Sequence, residues 1–498
     1  MDLEIRADYS QIFLFPPSLE DWVPSDHPVK FIRFFVESLD LNALGFKSRE
    51  SEEGRSNYSN DLLLKVWLYG YYEKIRSNRD LEKACKNQLP LVWLTGMNFP
   101  DHNTLWRFFN RNIKSLKQIF SQSVKLAHKF NMVGLVLQAI DGTKIMADVS
   151  KNRSLHKEDL TKYLKKLDES IDEVIEEIKS KESQESGLSG YQLPLPLQNK
   201  KKLKELIKNG LKELSSEEKL ELKKGLEIGL EKLSEAGVDH LNLIDEESRL
   251  MIHKNGQIEF SYNAQCVVDR QDQIITGAKV CNEADDRHQL CEMIEESGSN
   301  IGAISEETLA DGGYFCGEEL SRATDKGYEV TVNLPKSVKG EVEIEGADSK
   351  KYHKSNFVYN KEKDLYVCPE GNELLFYYEK PGSGKSYRVR IYRCMNKSCK
   401  YCNQCTKSKR GRDIERTPFD EIIHKQIQKQ SDRDKPKLLC LRKEIVEPVF
   451  GWIKRNQGFQ RWSFRNLDAV DTQWKMICTT INLKKMYRKW LSCKASFG

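Results

Sequence analysis

The chain has 498 residues, more than one hydrophobic core usually supports, so two to four domains are expected. Its 13 cysteines are scattered and odd in number, which fits reduced thiols and argues against a disulfide scaffold. No apolar run approaches the roughly 18–20 residues that cross a bilayer, so neither a signal segment nor a membrane anchor is expected, and a cytoplasmic protein is.

The net charge of +5 conceals a division along the chain. Residues 385–498 hold 28 Lys+Arg against 10 Asp+Glu, while the other 384 carry 52 against 65. Such segregation points to a polyanionic partner held by the C-terminal part, with nucleic acid as the leading class.

Residues 1 to about 135 read as helical. Asn60 and Asp61 open the apolar stretch L-L-L-K-V-W-L-Y-G-Y-Y-E-K-I, a turn is expected at Leu89-Pro90, and Asp101 or Asn103 is placed to cap the next helix. Short helices with tight turns, and Arg107 and Arg111 on the last, resemble a helix-turn-helix arrangement; helical packing without DNA contact explains the pattern equally well. The period changes near Leu135. G-L-V-L-Q-A-I-D-G-T-K-I-M-A-D reads as a buried strand ending in Asp141, then a turn at Gly142. Ile258–Val280 reads as two strands joined at R-Q-D-Q. A helix over D-D-R-H-Q-L-C-E-M-I-E-E-S follows, then a strand ending in Asp311 before two glycines, a helix, and the strand Y-E-V-T-V-N-L-P. The order implies an α/β fold with a mixed sheet.

Two segments interrupt that pattern. Residues 151–245 are Lys/Glu-rich with spaced leucines, 18 basic against 20 acidic, and read as a helical hairpin about a linker at 188–196. Residues 336–435 combine turns, Tyr-rich strands and a cysteine cluster.

Beyond them lies R-K-E-I-V-E-P-V-F-G-W-I-K-R (442–455), where Glu447 stands among Arg442, Lys443, Lys454, Arg455 and, soon after, Arg461. Seven residues separate Glu447 from Lys454, two turns of a helix, so one shared face is expected. Two strand-end aspartates and this glutamate make an oxygen-only ligand set. Magnesium favours such sets, and a pair of ions roughly 3.5–4 Å apart serves in-line phosphodiester displacement. Asp148 and Asp269 fall outside it, the first past the Gly142 turn and the second at a hairpin tip. Each element also has a plainer reading, as a turn-forming aspartate or a solvated basic helix face, so the argument rests on their order.

A-I-D-G-T-K (139–144), L-A-D-G-G-Y (309–314) and V-E-P-V-F-G-W-I-K-R (446–455) together resemble the three catalytic blocks of the DDE transposases of bacterial insertion sequences, most closely the group numbered 1182. P-P-S-L-E-D-W-V-P-S-D-H-P-V-K-F-I (16–32), Y-G-Y-Y-E-K-I-R-S-N-R-D-L-E-K-A-C (69–85) and P-D-H-N-T-L (100–105) resemble that family's N-terminal domain. The resemblance implies an RNase H-like core with Asp141, Asp311 and Glu447 binding two Mg²⁺ (or Mn²⁺) ions. It further implies DNA as partner, both as terminal inverted repeats and as target, and a homodimer or higher oligomer on that DNA. Arg442, Lys443, Lys454, Arg455 and Arg461 are the expected phosphate contacts. The chain departs from a Tyr-x2-Arg-x3-Glu-x6-Lys signature of related transposases: Cys440 stands for the Tyr and Lys443 for the Arg, with Arg442 one position away. Lysine binds phosphate as a point charge, without arginine's two-pronged geometry.

The organisation implied is an all-α domain over 1–133 for DNA binding or oligomerisation, a core over 134–150, 246–335 and 436–498, a charged helical insertion over 151–245, and a β-rich insertion over 336–435. Within the last, Cys368, Cys394, Cys399, Cys402 and Cys405 give five thiols with C-x2-C spacing, enough for one structural zinc using four of them. Iron–sulfur ligation and free thiols are the other readings, the first lacking the ferredoxin cysteine spacing. A metal-dependent nuclease on the same fold and a non-catalytic DNA-binding regulator are the competing functions.

Overall fold

The computed structural model describes residues 18–47, 57–151, 154–178, 216–335, 338, 351–382, 387–396, 398–431 and 435–497; the 188–196 linker lies outside them. Six helices open the chain: α1 (Pro28–Glu37), α2 (Asn60–Tyr72), α3 (Asn78–Asn87), α4 (Leu89–Leu94), α5 (His102–Arg111) and α6 (Ile113–Lys129). Leu89-Pro90, expected as a turn, starts α4 instead, because a proline in the first helical turn loses no intrahelical hydrogen bond. Asp101 caps α5, its Oδ1 accepting the Thr104 N–H at 2.7 Å.

α2 is buried from Leu63 through Tyr71, since the last helix of the chain, α14 (Leu467–Phe497), packs across it and along α6. Val470, Trp474, Ile477, Cys478 and Ile481 form the buried stripe of α14. Each large apolar side chain contributes about 1.5–3 kcal/mol, whereas the Lys117–Asp468 and Lys117–Asp471 ion pairs at the same seam are worth at most about 1 kcal/mol each. Packing therefore fixes the N-terminal helices to the C-terminal one, and the two share a continuous core with the sheet.

That sheet is mixed. β1 (Leu137–Met146) pairs antiparallel with β5 (Ile258–Asp269) and parallel with β7 (Glu307–Ala310), which pairs parallel with β8 (Val330–Val332). On the far edge of β5 lie β4 (Arg249–Ile252) and β6 (Ile275–Cys281), the latter joined through the hairpin expected at 270–273. Asp269, expected at an outward hairpin tip, is instead buried, its carboxylate accepting the N–H groups of Gly134, Leu135 and Gln271 and so pinning the chain into β1. α9 (Leu290–Ile301) and α10 (Gly317–Asp325) make the crossovers. The predicted helix over 285–297 starts five residues late, leaving Asp285–Gln289 as a loop.

Two-stranded β2 (Ser154–His156) and β3 (His240–Asn242) lead to the paired helices α7 (Lys157–Ile178) and α8 (Ser216–Glu235), whose spaced leucines form a separate core. A five-stranded antiparallel sheet, β9 (Val358–Asn360), β10 (Leu365–Val367), β11 (Glu373–Pro381), β12 (Arg388–Cys394) and β13 (Asp413–Arg416), carries one short helix, α11 (Cys402–Cys405). α12 (Asp420–Ser431) and α13 (Lys435–Gly451) lead back to the main sheet. Among the described residues, no helix is long and apolar enough to cross a membrane.

Candidate active site

Asp141 is not at a strand end. β1 runs unbroken through Gly142, and Asp141 pairs with Cys266 in mid-strand. Gly142 marks a crowded spot and not a turn: a Cβ there would stand 2.4 Å from Gln265 Nε2 and 2.8 Å from Asp286 Oδ1. β7 pairs only with Leu137–Ala139, and the register, continued by two residues, sets Asp311 beside Asp141. Asp311 does follow its strand directly, as expected. It caps the short turn Gly312–Tyr314, accepting the Gly313 N–H at 2.8 Å.

Burial pushes the Asp141 carboxyl up from the usual 3.8 to about 6; Arg442 opposes this and the charge of Asp311 adds to it. Arg442, on α13, holds Nη1 3.2 Å from Asp141 Oδ2. The contact is an ion pair only, for Nη1 is buried and its N–H finds no acceptor in line. Lys454 donates to the Lys144 carbonyl at 3.3 Å, and its ammonium is held below the lysine range by burial and by Lys254.

A further acid, which the strand pattern did not single out, lies on the side of β1 to which Gly142 projects, the face opposite Asp141. Asp286 accepts the side-chain amides of Asn263 at 2.7 Å and Gln265 at 2.6 Å. Tyr314, fully buried, donates to Gln265 Oε1. The readable signal was Asn263 and Gln265, polar residues alternating with apolar ones on the buried part of β5, which need partners. Lys144, Asp286, Arg287, Gly313 and Pro335 line an open cleft beside these groups.

Glu447 is on a helix, as expected, but on its exposed flank, where it makes no hydrogen bond or ion pair among the described residues; Ile445, Val446, Val449 and Phe450 take the buried face. The common face expected with Lys454 presumed one straight helix; α13 ends at Gly451 and Lys454 lies in a wide π turn, Trp452–Asn456, that changes the register. Lys443, Arg455 and Arg461 are exposed; Arg461 bridges to Met146 at the end of β1.

Cys368, Cys394, Cys399, Cys402 and Cys405 all line one small cavity between the five-stranded sheet and α11. Asn372 directs its backbone N–H at Cys368 Sγ, 3.3 Å away, and its amide at Cys399 Sγ, 3.8 Å away. Burial pushes the Cys405 thiol up to about 11 and raises Cys394. Cys85, Cys266, Cys281, Cys291 and Cys478 are core residues. Among the described residues, His288, Cys316 and Glu318 form the trio of ligand atoms within 4.8 Å of one another; the acids and the five thiols are set more widely.

Comparison with known families adds an independent line. Residues 367–487, containing the thiols, α13 and most of α14, match the family described as Transposase DDE domain, and residues 17–111 match Transposase domain (DUF772). Asp141 and Asp311 lie outside both matches. Neither curated proteins nor solved structures give a match. A DDE domain at one end and a transposase domain at the other, on one chain, place this protein among the DDE transposases of insertion sequences.

Proposed function

We propose that the protein cuts DNA at the ends of an insertion sequence and joins the freed 3′-hydroxyls to target DNA, using Asp141, Asp311 and Glu447 on an RNase H-like core. The observation that carries this is the approach of two partly buried aspartates, on adjacent parallel strands, beneath a basic helix. Asp141 and Asp311 repel, and burial raises the cost of charging Asp141. A divalent cation relieves both effects, and oxygen-only donors suit Mg²⁺ or Mn²⁺. Two such ions, when bound, activate a hydroxyl and stabilise the leaving oxygen of an in-line displacement.

The protein's own groups supply position and charge. Arg442 balances Asp141, with a buried N–H still to donate to a phosphate oxygen. Lys454 is anchored at β1, and Lys443, Arg455 and Arg461 extend the cationic surface outward to hold the backbone of the DNA. Water attacks one phosphodiester and the 3′-oxygen leaves. That 3′-hydroxyl then attacks a target phosphodiester, and the bond broken there equals the bond made.

In this reading residues 134–150, 246–335 and 436–498 form the core. Residues 1–133 recognise ends or oligomerise, with Trp106, Arg107 and Arg111 exposed along α5. Residues 151–245 are a helical insertion and 336–435 a zinc-bearing one. Four of the five thiols would hold the zinc; the all-sulfur donor set and the N–H groups aimed at sulfur fit that ion. Two element ends must meet, so a dimer or larger oligomer assembles on DNA.

The test is incubation of the full chain with Mg²⁺, a duplex ending in the element's inverted repeat, and a target plasmid. Cut ends plus plasmid-joined product are expected. Cutting without joining supports the nuclease, and binding without cutting supports the regulator.

A further inference from the structure

We infer that His288, Cys316 and Glu318 bind one zinc ion, in a site that shares no ligand with the acids of β1 and β7 or with the five thiols.

An imidazole nitrogen, a sulfur and a carboxylate oxygen lie within 4.8 Å of one another here. Around one tetrahedral zinc such atoms stand roughly 3.5 Å apart, so a side-chain movement of about 1 Å closes the set. The donors choose the ion: thiolate and imidazole suit zinc, whereas magnesium takes oxygen. Three protein ligands leave the fourth position to water, the pattern of an open zinc site. Thiolate and carboxylate together balance the charge of the ion.

Two segments separated in sequence make the site, and the fold holds them in register. His288 is in the loop before α9, while Cys316 and Glu318 are at the start of α10. Joining them, the buried Glu319 accepts the Cys291 N–H at 3.0 Å, and the Cys291 thiol donates to the Glu319 carbonyl at 3.3 Å. Gly317 packs against Phe419, where a Cβ would stand 2.7 Å from that residue's own, so the first turn of α10 is fixed in place. In the loop, Arg287 donates to Asp285 at 2.6 Å and Gln289 to Glu283 at 2.9 Å, which satisfies these neighbours among themselves. The side chains of His288, Cys316 and Glu318, by contrast, make no hydrogen bond or ion pair among the described residues. Glu318 alone would need no ligand, for an acid in a first helical turn suits the helix dipole. That reason does not extend to a thiol and an imidazole brought to the same point. An ion held here ties the loop before α9 to α10, the helix that follows the Asp311 turn.

The probe is Zn²⁺ added to the full chain. Chelator-treated parent, His288→Ala and Cys316→Ser are dialysed against the same buffered free Zn²⁺, and their metal is counted by mass spectrometry. Each variant should hold about one zinc fewer than the parent, whatever the five thiols bind, with the metal-free melting temperature unchanged. Equal zinc content in parent and variants overturns the inference. Should either variant unfold, alkylation of Cys316 in the parent by iodoacetamide, read by peptide mass spectrometry, decides. Zn²⁺ should slow that reaction roughly tenfold or more and Mg²⁺ should leave it unchanged. An equal rate with and without Zn²⁺ rejects the site.

Discussion

Arg442 Nη1 stands 3.2 Å from Asp141 Oδ2 without forming a hydrogen bond, although both groups are largely buried. Arg442 is the one influence among the leading three on Asp141 that favours its charged form; burial and Asp311 oppose it. In Arg442→Met the Asp141 carboxyl should therefore rise above about 6, and the pH at which Mn²⁺ binding is half-lost should move up with it. Mn²⁺ titrations across pH 5–8 measure this. A midpoint identical to the parent's removes Arg442 from the electrostatics of the site.

Asp141→Asn should stabilise the metal-free protein. A carboxyl whose folded value is raised contributes stability that is complete below its unfolded value of 3.8 and is lost as pH rises through about 6. Above pH 6 the charged aspartate thus costs up to roughly 3 kcal/mol, which the neutral asparagine does not incur. Denaturant unfolding at pH 7.5 and pH 4 with the metal removed should show the variant gaining at the higher pH alone. Added Mg²⁺ should stabilise the parent and not the variant. Equal stability of the two proteins at pH 7.5 counts against a buried charged Asp141.

Gly142→Ala separates a crowded strand from a turn. Alanine within a strand is usually the better residue by about 0.5–1 kcal/mol. Here its methyl meets Gln265 Nε2 and Asp286 Oδ1, both fixed by hydrogen bonds and unable to give way cheaply. A net loss of about 1–3 kcal/mol is expected, with loss of DNA cleavage. A more stable and equally active variant would mean that Gln265 and Asp286 give way.

Much of the main sheet was legible because its strands are apolar runs separated by helical periods, and the hairpin at 270–273 lay between two β-branched runs. The error at Gly142 had a physical cause. Glycine commonly marks a turn, and only the cross-strand neighbours Gln265 and Asp286 reveal that it is there for space. Asp286 escaped because D-D-R-H reads as the start of a helix, while the chain delays α9 to Leu290 and leaves that aspartate in a loop against Asn263 and Gln265. The face shared by Glu447 and Lys454 assumed a straight α-helix, and a π turn is not visible in residue spacing. The five thiols, by contrast, were grouped by spacing alone, and they do line a single cavity.

Glu447→Gln should leave the fold untouched, since Glu447 is exposed and makes no ion pair among the described residues. DNA binding should persist or rise slightly as repulsion of phosphate is lost, while Mg²⁺-dependent cleavage falls by orders of magnitude. Lys454→Ala should do the reverse, weakening DNA binding and lowering its salt dependence by about one phosphate contact. Filter binding at several salt concentrations and a cleavage assay, run on both variants, make the comparison. Cleavage at the parent's rate by Glu447→Gln strikes it from the catalytic set.

The zinc reading has a thermodynamic consequence. The cysteine-bearing sheet has a core of its own made of five buried side chains, Phe357, Tyr366, Leu374, Tyr392 and Ile414. Binding of one zinc should add stability to this small core. Because burial holds the Cys405 thiol at about 11 and raises Cys394, those thiols are protonated at neutral pH and must release protons on binding. Zinc titration of chelator-treated protein should then release protons, and the binding heat should vary with the ionisation enthalpy of the buffer. Chelation, or Cys402→Ser, should expose residues 351–416 to protease while the main core stays resistant. Purified protein with no zinc and an equally resistant 351–416 segment would show that these thiols hold no structural metal.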